Sequence, residues 1–337
     1  MKLKLTVLII ILVVGAALGG YFLGITRKGN YPLPTPSFIN PRTLDKYTIE
    51  NLSKAEIKGS QIQIGEKLLD ADSFSSYLFT FSFDPDFDGR VAKKVTGLIN
   101  LPKGEGPFPI VVMFRGYVDQ KTYTTGTGTK RAGEYFAQNG FITLAPDFLG
   151  YGQSDKEAEN IFESRFQTYV TALTLLKSLD RLEGWDKQNI FIWGHSNGGQ
   201  IALSILEITQ KAFPTVLWAP VSKPFPYSIL YYTDESDDDG KFIREELAKF
   251  EKDYNADLYS IPNYFDRLKA PIQLHQGVSD LEVPRPWSDE LAKELKNLGL
   301  GMEYIVYPSA DHNLNPAWDI ASQNSLNFFR KYLIKPT

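Results

Sequence analysis

Gly194, Ser196 and Gly198 form a G-x-S-x-G spacing in the run GHSNGG, set between the strand-like NIFIWGH and the helix-like IALSILEI. A serine on such a strand-to-helix turn is held with its hydroxyl exposed, and the flanking glycines let neighbouring backbone come close. The free N–H groups and positive end of the following helix suit an oxyanion. A serine hydroxyl attacks a carbonyl only weakly unless a base takes its proton. The chain has three histidines. His195 sits inside the turn itself, from which its ring cannot reach around to the neighbouring hydroxyl. His275 lies within the apolar run PIQLHQG and reads as a packed core residue. His312, in the loop SADHNLN after the run MEYIVYP, is the expected base. Asp280, in GVSDLEVP just past PIQLHQG, is the expected acid, with Glu282 as its nearest competitor and helix capping as its structural alternative. The oxyanion needs two donors. One is expected from the backbone N–H of Asn197, and the other from Tyr117 in the loop RGY, by its backbone N–H or its phenol.

These residues need elements that end at one place. Beyond Pro107, short apolar runs alternate with helix-length periodic segments, the pattern of a mainly parallel sheet covered on both faces. The strands expected are 109–114, 141–148, 189–195, 215–220, 271–277 and 302–308, with helices near 129–139, 160–182, 198–210, 285–298 and 317–333. Ahead of them, YLFTFSF and VTGLINL flank the turn DPDFDG and predict an antiparallel entry. Between Pro220 and Pro271 the chain is longer than a plain crossover requires. Residues 221–268 are therefore expected to form a helical cap over the carboxyl ends of the strands. Its aromatics, Tyr227, Tyr231, Tyr232, Phe242 and Tyr264, could line an acyl pocket or simply form the cap's own small core.

The run from about Tyr77 to Ile334 resembles the α/β-hydrolase fold, and more closely the catalytic domain of the prolyl oligopeptidase-like serine peptidases. The residues that carry the resemblance are GHSNGG, GVSDLEVP, the ADH around His312 and PDFLGYGQSD at 146–155. It implies a Ser196, Asp280, His312 triad in the chain order of that architecture. It also implies cleavage of an ester or peptide bond through an acyl-enzyme. Members of the family usually carry a β-propeller, and the residues ahead of the hydrolase core are too few for one. Peptide selectivity therefore does not transfer, and the resemblance extends equally to carboxylesterases. An acyltransferase on the same triad and a binding protein on a catalytically dead hydrolase fold are the other readings. The intact set of three residues speaks against the last.

Composition excludes several classes. The 36 basic and 40 acidic residues leave a formal charge of -4 with no long basic run, which argues against nucleic acid as a partner. The absence of cysteine removes disulfides, thiolate metal sites and cysteine nucleophiles. No cofactor or catalytic metal is expected. One acidic segment has partial calcium-loop spacing, with Glu235, Asp237, Asp239, Gly240 and Glu246 at positions 1, 3, 5, 6 and 12. Its alternative is a solvated turn capping the helix that follows.

The N-terminus is a different material. Leu5 to Ile25 carries no charge and is long enough, as a helix, to cross a bilayer core. Residues 1–28 are expected to be a membrane anchor, alternatively a cleaved signal, and 29–45 a proline-rich linker. The catalytic domain, 46–337, is then expected outside the cytoplasm, tethered or secreted, acting on a small ester or short peptide.

Overall fold

The computed structural model describes residues 42–334, apart from the side chain of Glu235. The expected anchor and nearly all of the proline-rich linker lie outside these residues. Among the described residues no helix is long and apolar enough to cross a membrane. The fold begins slightly ahead of the expected boundary, because Leu44 is already buried.

A nine-stranded sheet runs through this part of the chain in the order β1-β2-β3-β5-β4-β6-β7-β8-β9. The strands are β1 (Gln63–Asp70), β2 (Phe74–Phe83), β3 (Lys93–Pro102), β4 (Phe108–Phe114), β5 (Ile142–Pro146), β6 (Trp185–His195), β7 (Thr215–Trp218), β8 (Ile272–Gly277) and β9 (Met302–Tyr307). The first three pair antiparallel, and β3 joins β5 in the same sense. From β5 across β4 to β9 every pairing is parallel. Strands β5, β7 and β8 are buried along their whole length, as strands with both faces covered must be.

Two apolar layers cover the sheet. On one face Ile110, Val112, Ile192 and Leu274 pack with α3 (Ile161–Ser178), α4 (Asn197–Thr209) and α7 (Arg285–Asn297). On the other, Val111, Phe191 and Val216 pack with α2 (Lys130–Gln138) and α8 (Trp318–Lys331). The alternation of neighbours between faces along β4 follows from the strand's two-residue period.

From β4 the chain goes to β5 on one side, then crosses to β6 on the other. Such a reversal opens a crevice at the carboxyl ends of the strands.

Strand β1 was not expected. Every residue in it is exposed and its pairing to β2 is interrupted by two register shifts, so it has no buried stripe to betray it. The short helix α1 (Ile49–Lys54) was likewise not anticipated. It is capped by Thr48, whose side chain accepts from the Asn51 N–H.

The insertion after β7 is helical, with α5 (Tyr227–Leu230), α6 (Lys241–Asp253) and several 3-10 turns. Phe225, Phe250 and Tyr259 stack with Phe162 and Phe166 of α3, so the insertion shares the core of that face. Asp238, which lies outside the calcium spacing, accepts from the N–H groups of Gly240 and Phe242 and so serves the start of α6. Among the described residues no three acidic or histidine side chains gather into a metal-binding group.

Candidate active site

Glycine packing creates the turn at Ser196. A Cβ on Gly194 would lie 2.5 Å from the carbonyl oxygen of Gly198, and one on Gly199 would lie 2.5 Å from Cβ of Pro220. A Cβ on Gly198 would run into the Phe114 carbonyl at the end of β4. Helix α4 can therefore start hard against β4 only because these positions carry no side chain. The turn between β6 and α4 forces Ser196 to φ 56° and ψ −122°, a conformation costly for any residue but glycine. Its N–H donates to the Trp218 carbonyl, and its own carbonyl accepts from Gly199 and Val221. The strain is thus held by hydrogen bonds on both sides. The next N–H, that of Asn197, belongs to the first turn of α4, where no intrahelical acceptor exists.

The loop after β8 places Asp280 with four donors on its two oxygens. Oδ1 accepts from the backbone N–H groups of Glu282 and Val283, both at 2.9 Å. Oδ2 accepts from His312 Nδ1 at 2.9 Å and from Gln276 Nε2 at 3.0 Å. Burial alone would raise the pKa of this carboxyl. The His312 hydrogen bond and charge and the two backbone N–H groups overcome that and hold it below the ordinary aspartate value. Gln276 is itself fully buried and held by Ser288, whose hydroxyl donates to Gln276 Oε1 at 2.7 Å.

His312 is buried in the loop after β9, and its Nδ1 bond to Asp280 leaves Nε2 for other work. Nε2 lies 3.6 Å from Glu282, whose side chain is mostly exposed. The other two histidines are also buried, and they differ in role. His195 Nε2 donates to the backbone carbonyl of His312 at 3.0 Å, and the two rings lie 4.6 Å apart. The residue before the serine thus holds the loop that carries His312. Burial, with the neighbouring His312, lowers its pKa to about 4. His275 bonds Tyr307 and Gln273, each at 2.8 Å, and burial lowers its pKa to about 3. It is a core residue facing away from this cluster.

On the side of β4, a Cβ on Gly116 would lie 3.0 Å from that of Ser196, so this loop passes directly beside the serine. Arg115 fixes it. Its guanidinium donates to the carbonyls of Gly116 and Asp147 and lies over Tyr151, 3.9 Å from the ring centroid. Asp147, wholly buried, accepts from Tyr123, Thr125 and Thr96, tying the 116–126 loop to the segment after β5. Both residues stand in runs already singled out, RGY and PDFLGYGQSD, but their contact was not legible in the sequence, because the two runs meet only through the sheet order.

A cavity of about 250 Å³ opens beside Asn197 and Tyr117, bordered by Arg115, Phe148, Tyr151, Arg165 and Ile201. None of the cap aromatics lines it. Tyr227, Tyr231 and Tyr232 instead surround Trp287, Phe242 is exposed, and Tyr264 packs on the core. Three of the five rings thus pack around Trp287 of α7, with Tyr232 in a small cluster with Val221 and Val283.

The model of the prolyl oligopeptidase family matches residues 129–335 of this chain, a span that includes Ser196, Asp280 and His312. The chain belongs to the prolyl oligopeptidase family. Within that breadth it is also similar to esterases. An acetyl esterase of Xylanibacter ruminicola is 22% identical over 276 residues, covering 73% of this chain and 58% of that protein. This chain therefore spans little more than half the length of that relative. Acetyl xylan esterase 1 of a Thermoanaerobacterium species superposes with a TM-score of 0.60 at 17% identity, over 86% of this chain and 94% of the other. A puromycin-hydrolysing peptidase of Mycobacterium tuberculosis gives 0.53 at 19%, over 81% of this chain but 39% of that one. The prolyl oligopeptidase family member described here is a serine hydrolase with the α/β-hydrolase fold.

Proposed function

We propose that the chain is a carboxylesterase that releases short acyl groups through an acyl-enzyme on Ser196. In this reading His312 Nε2 takes the proton as Ser196 Oγ bonds to the acyl carbon. The carbonyl π electrons move to oxygen, and the oxyanion faces the N–H groups of Asn197 and Tyr117. Arg115 supports that second donor: it binds the Gly116 carbonyl, and in a trans peptide the Tyr117 N–H points the opposite way. Tyr117 is 79% exposed as a residue, which favours the backbone group over the side chain. Collapse of the intermediate breaks the carbonyl carbon to alkoxy oxygen bond, and His312 returns the proton to the leaving alcohol. Water then repeats the sequence and frees the acid. Asp280 holds the imidazole by Nδ1 throughout.

The observation that carries the ester reading is the small cavity beside both oxyanion donors. At about 250 Å³ it is below the size usual for drug-sized ligands and suits a short acyl chain. The acetyl esterases support it too, since the acetyl xylan esterase is covered almost end to end and the peptidase for 39% of its length. The test is hydrolysis of p-nitrophenyl esters from acetyl to octanoyl beside aminoacyl p-nitroanilides. Acetyl should be preferred and the anilides left intact. Preference for the anilides would establish a peptidase. Acyl transfer to an added alcohol in preference to water would establish a transferase. The expected anchor would hold this enzyme at a membrane, which detergent-dependent fractionation of the full chain examines.

A further inference from the structure

We infer that Arg165 is a specificity-determining residue, which binds a carboxylate at the far end of the acyl group. The preferred substrates are then half-esters of short dicarboxylic acids. This rests on the reading that the cavity beside Asn197 and Tyr117 takes the acyl chain, and it names the class of that chain. The cavity reaches the nucleophile through its neighbours on both sides. Asn197 follows Ser196, and Tyr117 follows Gly116, where an added Cβ would stand 3.5 Å from Ser196 Oγ. Phe148, Leu149, Ile161 and Ile201 give the cavity an apolar side.

Two guanidinium groups border it. Arg115 is committed, since it donates to the carbonyls of Gly116 and Asp147. Arg165, half-buried on α3, is not. Its Nη2 donates to Gln200 Oε1 at 2.7 Å, a neutral acceptor, and it forms no ion pair among the described residues. Neither Nε nor Nη1 makes a hydrogen bond, and Nη1, unlike Nε, is not enclosed by protein atoms. A guanidinium keeps its charge and carries several donors, so a half-buried one with a single bond lacks its counterion. Glu157 also borders the cavity, but its two oxygens accept from Gln120 and Ser164. Gln200 sets the reach. It stands on α4 one turn beyond Ser196, about 6 Å along the helix axis, beside the Asn197 and Ile201 that line the cavity. An acyl chain a few carbons long therefore spans from the reacting carbonyl to Arg165, and a carboxylate there meets the planar fork that pairs best with it. A neutral alkyl chain of the same length would cover the guanidinium without giving it a partner.

Ethanol release by the full chain from monoethyl succinate and from ethyl succinamate, its neutral near-isostere, tests this. The half-ester should show a kcat/KM at least about tenfold higher, mostly through KM. Arg165→Met should bring that ratio to about one, and Arg165→Lys, which keeps the charge but not the fork, should leave a ratio in between. A variant that is merely damaged loses both esters alike, so an unchanged ratio in Arg165→Met overturns the inference. A ratio near one in the natural chain overturns it too, and hydrolysis of ethyl acetate would then show that the carboxylesterase reading survives. If no ester is cleaved, calorimetric titration with monoethyl succinate separates the two. Binding that is lost in Arg165→Met would leave the carboxylate site standing and overturn the carboxylesterase reading, and absence of binding would overturn both.

Discussion

The two ends of helix α4 treat buried polar groups in opposite ways. At its start, the strained Ser196 backbone is held by three hydrogen bonds, and the nearby Asp280 has a donor for every direction it faces. Near its end, Glu207 is wholly buried and neither carboxyl oxygen has a partner among the described residues. Its backbone carbonyl, not its carboxylate, receives Arg267. Burial drives the Glu207 pKa well above that of an ordinary glutamate, since no hydrogen bond supports its charged form. The contrast separates polar groups that are held by partners from one that is left without any hydrogen bond.

The largest effect expected lies at the first end. Ser196→Ala should lower kcat/KM by at least about ten-thousandfold with the melting temperature nearly unchanged, and Asp280→Asn should lower it by about a thousandfold or more with some loss of stability, since an amide nitrogen cannot accept from the donors around it. Steady-state kinetics on an aryl acetate measures both, and near-wild-type turnover in Ser196→Ala would remove the assignment. Next comes packing. Gly198→Ala drives a methyl into the Phe114 carbonyl and should cost about 3–5 kcal/mol, read by urea unfolding. A small cost there would mean that α4 can slide away from β4.

Glu207→Met should do the reverse and stabilise the fold by about 1–3 kcal/mol at pH 8. The sign follows from linkage. A carboxyl whose folded pKa is raised contributes stability below its unfolded value, near 4.5, and loses it as pH rises towards the folded value. The advantage of methionine should therefore grow as pH rises above about 4.5. His195 and His275 act in the other direction, because their folded pKa values of about 4 and about 3 lie below the ordinary 6.5. The unfolded chain binds more protons in that window, so each histidine makes stability fall as pH drops below about 6.5, by up to about 1.4 kcal/mol per unit. Glu207, with its folded pKa raised, works against them above about pH 4.5. The acid-side loss of stability should therefore be steeper in Glu207→Met than in the natural chain, and equal slopes would show that folding leaves the Glu207 carboxyl unshifted.

The same contrast explains what the sequence disclosed. Ser196, Asp280 and His312 could be read because each follows an apolar strand and carries a local spacing: glycines around the serine, Pro284 after the acid, a closing helix after the histidine. The parallel strands could be read because continuous Val, Ile and Leu runs have few other destinations. Glu207 could not, since the helix-like IALSILEI gives no sign that its glutamate faces inward. Arg115, Asp147 and Gln276 were hidden for another reason. Their partners are brought by strand order and loop closure, which no local pattern encodes. Strand β1 was lost because an exposed edge strand has no inward face.

The smallest effect expected sharpens the choice between the two carboxylates near the imidazole. Asp280 is buried, fully hydrogen-bonded and 2.9 Å from Nδ1, whereas Glu282 is 67% exposed at its side chain and 3.6 Å from Nε2. A charge open to water interacts weakly and is screened further by salt. Glu282 also stands on the nitrogen that takes the serine proton in the proposed mechanism, where a persistent bond would oppose that step. Glu282→Gln should therefore change kcat/KM by no more than about threefold, in either direction, and the difference should shrink when ionic strength rises from 0.05 to about 0.5 M. A loss as deep as that of Asp280→Asn, insensitive to salt, would make Glu282 the orienting acid and Asp280 a loop cap.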